Sequence, residues 1–130
     1  MTTELTYLAL TLILALVQVL LPAGARTVEF GLKWNAGARD DTPTSTRPLT
    51  GRLERAQANL FETLPLFIAA VLMAHVAGKD GALTLLGAQL YFFGRLAYVP
   101  LYAFGVPYVR SAAWGVATLG LMLIIAALFV

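Results

Sequence analysis

Residues 52–67 read Arg-Leu-Glu-Arg-Ala-Gln-Ala-Asn-Leu-Phe-Glu-Thr-Leu-Pro-Leu-Phe, a charged segment that passes into an apolar one without breaking helical periodicity. Arg52, Arg55, Asn59 and Glu62 fall at steps of three, four and three, so a helix gathers them on one face. From Asn59 to Gly78 the only formal charge is Glu62, among Leu, Ala, Val and Phe. An ionisable side chain at bilayer depth costs roughly 2.5–3.5 kcal/mol on insertion scales. Such a face must turn from lipid toward a protein interior or a water-filled site.

The rest of the chain agrees with a bilayer setting. Of its 130 residues, 59% are hydrophobic and 12% charged, with a mean hydropathy of +0.78; soluble domains carry about 25% charge. The sequence therefore predicts an all-α integral membrane protein, a four-transmembrane-helix bundle forming one domain over residues 1–130. Its helices are expected at about 5–25, 50–77, 82–102 and 111–130, with a polar loop over 26–49.

Leu5–Ala25 holds no charge over 21 residues, a reach of roughly 30 Å at ~1.5 Å per residue. Ala23-Gly24-Ala25 looks like a signal-peptide cleavage site, but no Lys or Arg precedes the apolar run, and the run exceeds a typical signal core. It is read as a first transmembrane helix. The loop that follows carries turn signals at Asp40-Asp41-Thr42-Pro43 and an interfacial turn around Phe30–Trp34. Pro65 should free the Phe61 carbonyl and bend the second helix. Gly78–Gly81 is a tight link between antiparallel spans, and the small residues Ala112, Ala113, Gly115, Ala117 and Gly120 allow close contact by the last helix.

Residues 26–55 hold six basic and four acidic side chains, an excess equal to the net charge of +2 of the whole chain. Basic loops stay in the cytoplasm, so loops one and three are expected there and the termini outside, the inner membrane in a bacterium. The charges form no concentrated basic face, which argues against a nucleic-acid partner. Zero cysteines exclude disulfides, thiolate metal sites and a cysteine nucleophile of the chain's own, and a lone histidine, His75, makes a zinc site within one chain improbable. His75 reads as an interhelical hydrogen-bonding residue.

A second polar stripe lies on the third helix, where Tyr91, Arg95, Tyr98 and Tyr102 recur at helical spacing, and Arg110 opens the fourth at the same level. Several guanidinium forks, one carboxylate, one amide and phenolic hydroxyls suit a small zwitterionic ligand rich in carboxylates, entering from the cytoplasm. The alternative is structural: interhelical polar bonds worth about 0.6–2 kcal/mol each, with arginines snorkelling and tyrosines in the interfacial belt.

Arg55-Ala56-Gln57-Ala58-Asn59-Leu60-Phe61-Glu62, followed by Leu64-Pro65-Leu66-Phe67, resembles the second-helix signature of the membrane-associated proteins in eicosanoid and glutathione metabolism, the MAPEG superfamily. Arg95-Leu96-Ala97-Tyr98 with Tyr102, and Arg110-Ser111, are similar to the third-helix stripe and the thiol-facing arginine of its microsomal glutathione transferases and prostaglandin E synthases. The resemblance covers the whole chain. It implies a homotrimer with sites between subunits and glutathione as co-substrate. Arg55 and Asn59 would hold a glutathione carboxylate and Glu62 the ammonium, while Arg95, Tyr98 and Tyr102 would line the pocket. Arg110 would be catalytic, facing the sulfur, and Arg26 would reach the ligand from the first helix.

A free thiol of pKa ~8.5 is only a few per cent thiolate at neutral pH. A guanidinium within ~4–6 Å favours the charged form, and the thiolate would attack a lipophilic electrophile or hydroperoxide held in membrane lipid. Thr63, where several synthases have tyrosine, and the distinct first loop leave the acceptor open and look more like bacterial relatives than a dedicated eicosanoid synthase. Two other classes remain: a non-catalytic lipid-binding scaffold of the same fold, like the lipoxygenase-activating protein, and a small transporter subunit. Arg110 disfavours the scaffold, and charges clustered at one end disfavour the transporter.

Overall fold

The computed structural model describes residues 1–41, 43–45 and 47–130. Its elements are helices α1 (Thr3–Phe30), α2 (Leu32–Ala36), α3 (Pro48–Val76), α4 (Ala82–Ala103) and α5 (Val109–Ala127). Four of them, α1, α3, α4 and α5, are long and apolar enough to cross a membrane. The chain is thus a multi-pass membrane protein. Ile13, Leu16, Leu20, Leu66 and Met122 are exposed on the outside of the bundle, as lipid-facing side chains must be.

The long helices run alternately up and down. Thr84 at the start of α4 donates to Glu4 near the start of α1 (3.0 Å), while Arg26 near the end of α1 bonds Glu54 in the second turn of α3 (2.8 Å). One end therefore carries the start of α1 with the α3–α4 turn, and the other carries the first loop with the α4–α5 turn. Both turns close by the same device. Gly78 (φ +67°) and Gly105 (φ +68°) take the left-handed conformation. The next amides reach back to the last helical turn, Lys79 N to Ala74 O at 2.8 Å and Val106 N to Leu101 O at 2.9 Å.

Helix α4 packs against each of the other three spans. Against α3, the Tyr91 ring stacks on Phe67 with centroids 4.0 Å apart, and its hydroxyl shares a 2.9 Å hydrogen bond with Thr63. Against α5, backbones nearly touch where glycines face each other. A Cβ at Gly87 would lie 2.5 Å from the Gly120 carbonyl oxygen and 2.6 Å from Ile124 Cγ1. The expected small-residue contact of the last helix runs through Ala113, Ala117 and Gly120, against Gly87 and Gly94 of α4, while Ala112 and Gly115 are exposed and Gly115 meets nothing within 4 Å.

Several local expectations meet a different outcome. Helix α1 continues past Ala25 to Phe30, carrying Arg26 and Glu29 on helical backbone. The interfacial turn is the helix α2, with Phe30 and Trp34 in edge-to-face contact at 4.9 Å. Pro65, the site of the expected bend, lies within the continuous helix α3. The chain bends at Asp40 and Asp41, while Thr42 of that expected turn lies outside the described residues. His75 bonds Asp80 at 2.8 Å in the turn after its own helix, not another span, because it sits in the last turn of α3 beyond its neighbours.

Candidate functional site

The charged face of α3 begins where the first loop ends, and one carboxylate organises that junction. Glu29 of α1 accepts from Ser45 Oγ (2.9 Å), from the Arg47 amide (3.3 Å) and from Thr50 Oγ1 (2.9 Å). Arg47 caps α3 with no side-chain hydrogen bond of its own. Glu29 therefore supplies, from another helix, the anion that a helix N-terminus favours. It fixes the first turn of α3, and with it the direction in which Arg52 and Arg55 leave the helix.

Helix α3 has 29 residues, a reach of roughly 43 Å at ~1.5 Å per residue, longer than a ~30 Å hydrocarbon core. With Val76 at one boundary, Arg52 and Arg55 stand at headgroup level and Asn59 and Glu62 one to two turns within.

At that level the described residues enclose an open cleft of about 310 Å³ lined by Asn59, Tyr98, Tyr102, Arg110, Ser111 and Trp114. It continues into a second pocket of about 240 Å³ that shares Tyr102 and Arg110 and adds Arg52, Arg55 and the 105–107 turn. Tyr102 is the hub. Its hydroxyl accepts from Arg55 Nε at 3.0 Å, and the Arg110 guanidinium lies 4.5 Å from its ring centroid. Arg52 Nη1 bonds the Ala103 carbonyl at 3.4 Å, and its guanidinium lies against Gly105, where an added Cβ would stand 3.1 Å from Cζ. The two linings hold three arginines and no acidic residue. That potential attracts carboxylates.

The expected site residues divide into three groups. Asn59, Tyr98, Tyr102 and Arg110 line the first cavity, and Arg55 lines the adjoining one. Arg95 does not line either. It is 1% exposed, its Nη1 donates to Asn59 Oδ1 at 2.7 Å, and its guanidinium lies 4.3 Å from the Tyr98 ring centroid. Arg95 thus stands behind the cavity wall: it holds the Asn59 oxygen and leaves the amide nitrogen unengaged. It does not snorkel. Its Nε and Nη2 find no partner among the described residues, which is costly for a buried cation.

Arg26 and Glu62 do not line the cleft. Arg26 is held by Glu54, because α1 extends five residues beyond the expected Ala25 and brings the two side by side. Glu62 is exposed and forms no hydrogen bond or ion pair among the described residues, but its charge reaches Arg95 and Tyr98. Arg52 is a lining residue the sequence placed on the right face without assigning it a role. Trp114, one helical turn after Arg110 on α5, is another that the sequence did not single out. Gln18, 2% exposed in mid-span with its amide unpartnered among the described residues, carried a signal as the sole amide in Leu5–Ala25. No group of three or more metal-ligating side chains occurs among the described residues.

Two comparisons with known proteins bear on this arrangement. A family model described as the MAPEG family matches residues 7–130, nearly the whole chain. No curated protein matches it.

Proposed function

Because the chain belongs to the MAPEG family, we propose that its headgroup-level cleft binds glutathione and that Arg110 activates the thiol for attack on lipophilic electrophiles or hydroperoxides. The observation that carries this reading is the pair of joined pockets with three arginines, an amide and two phenols but no carboxylate in their walls. Glutathione carries an ammonium and a carboxylate together at its γ-glutamyl end and a second carboxylate at its glycine end. Arg52 and Arg55, with Tyr102 orienting Arg55, would take one carboxylate as charge-assisted hydrogen bonds. The unengaged end of Asn59, fixed by Arg95, would donate to a ligand oxygen.

The ammonium needs an anion. Glu62 is the one formal charge between Asn59 and Gly78, and an exposed carboxylate without a hydrogen bond among the described residues fits a site completed by a second copy of the chain. A homotrimer, with Glu62 and Arg26 turned toward a neighbour, would also remove an exposed carboxylate from lipid. The loop-bearing end would face the cytoplasm, where the basic excess belongs.

The chemistry follows from charge. A guanidinium beside a thiol lowers its pKa by roughly 1–3 units, raising the thiolate fraction at neutral pH from a few per cent to between about a quarter and nearly all. The sulfur pair then displaces a leaving group from carbon. With a hydroperoxide it takes the terminal oxygen, releasing the alcohol, and a second glutathione gives disulfide and water. Ser111 and Trp114 continue the wall from Arg110 toward the lipid side, where an apolar acceptor would lie.

A second reading rests on two bonds. Arg95 to Asn59 and Arg55 to Tyr102 tie α3 to α4, as a non-catalytic scaffold also requires. Conjugation of a generic aromatic electrophile by the detergent-purified chain separates the two. The enzyme reading expects turnover in wild type, a larger loss of kcat than of glutathione affinity in Arg110→Ala, and weaker binding in Glu62→Ala. Equal rates in all three would remove the catalytic assignment.

A further inference from the structure

Beside the Glu29 junction, a groove of about 500 Å³ lies between the last turns of α1 and the first turn of α3. Gly24, Ala25 and Val28 form one wall and Pro48 and Leu49 the other, with Arg47 at the rim. Val28 and Leu49 are both exposed, and a Cβ at Gly24 would meet nothing within 4 Å, so the groove is open beside Gly24. The Arg47 backbone is engaged with Glu29 and Ser45, while its side chain is exposed.

Position decides what such a groove takes. Leu5–Ala25 is the charge-free part of α1, so Gly24 and Ala25 mark the edge of hydrocarbon and Arg47 stands in the headgroup layer. An occupant must present an anion outward and an apolar chain inward. We infer that the groove holds one anionic phospholipid per chain, its phosphate on Arg47 and an acyl chain over Gly24. A neutral, zwitterionic lipid would fill the apolar part equally well but gain less from the guanidinium, since its own ammonium offsets the phosphate. The same seat suits an arginine-bearing helix start: the lipid phosphate adds a second anion to the one that Glu29 already supplies at the positive end of α3. None of the groove's residues lines the cleft, although Arg47 and Pro48 border a further pocket with Arg55.

Native mass spectrometry of the full chain, released from detergent after equilibration with equimolar phosphatidylglycerol and phosphatidylcholine, tests it. Wild type should retain the glycerol lipid about fivefold over the choline lipid, the preference one arginine at an anionic surface supports. Arg47→Gln should abolish the preference and Arg47→Lys should keep most of it. Gly24→Leu should fill the groove and reduce retention of both lipids. Equal retention by wild type, or a preference that survives Arg47→Gln, overturns the assignment. So does unchanged retention in Gly24→Leu; if the oligomeric mass changes at the same time, the groove belongs to another copy of the chain.

Discussion

Substituting Gly120 with alanine tests how closely α4 and α5 approach. A Cβ there would collide with the Gly87 carbonyl oxygen and lie 2.8 Å from Tyr91 N and 2.9 Å from Leu90 Cβ. Two of these are backbone atoms, which cannot rotate away, so the helices must part. Overpacking of this kind costs about 1–3 kcal/mol, and with three close atoms the upper half of that range applies. Alanine returns about 1 kcal/mol of helix propensity. The net loss should be about 1–2 kcal/mol. Gly115, on the same helix, has nothing within 4 Å of its added Cβ, so Gly115→Ala keeps the propensity gain of about 1 kcal/mol. The same chemical change should thus act in opposite directions at two positions five residues apart. Denaturant unfolding in one detergent, followed by far-ultraviolet circular dichroism, measures both. Loss in Gly120→Ala with gain in Gly115→Ala is expected. A gain in both, or equal loss in both, would refute the close approach.

Three further substitutions probe the polar wiring. Asn59→Leu removes the only hydrogen-bond acceptor of the buried Arg95 among the described residues and should cost about 3 kcal/mol; the double variant with Arg95→Met should recover part of that loss in the same unfolding assay. Glu29→Ala strips the acceptor for Ser45, the Arg47 amide and Thr50, so α3 should lose about 1–2 kcal/mol of capping and limited proteolysis should cut faster within 37–47. Tyr102→Phe keeps the ring under Arg110 but releases Arg55, so glutathione affinity should fall about tenfold, as for one hydrogen bond to a charged group, with kcat little changed by direct assay.

The bundle was legible because lipid imposes a simple rule. Charge-free runs such as Leu5–Ala25 and 111–130 must be helices, and the positions of Asn59, Tyr98, Tyr102 and Arg110 follow from helical spacing. Periodicity says which residues share a face but not which neighbour that face meets. Arg95 therefore looked like a lining residue, when the rotation of α4 puts it behind Asn59. Gly87 was silent for the same reason, since a glycine reads as a contact only when the partner Gly120 is known. Arg26 and Glu29 fell to the loop because hydropathy ends at Ala25, whereas the backbone continues helical to Phe30 and uses both charges to anchor α3. His75 paired locally because Asp80 lies only five residues on, across a turn that glycine tightens.

The state of the bound sulfur tests the central claim most directly. Ultraviolet difference absorbance on adding glutathione to the purified protein at pH 7 reports thiolate formation, and isothermal titration reports binding in the same sample. Wild type should bind with a thiolate signal of a quarter equivalent or more, while Arg110→Ala should still bind but show almost none. Binding with no thiolate signal in wild type, or an equal signal in both proteins, would contradict the role given to Arg110.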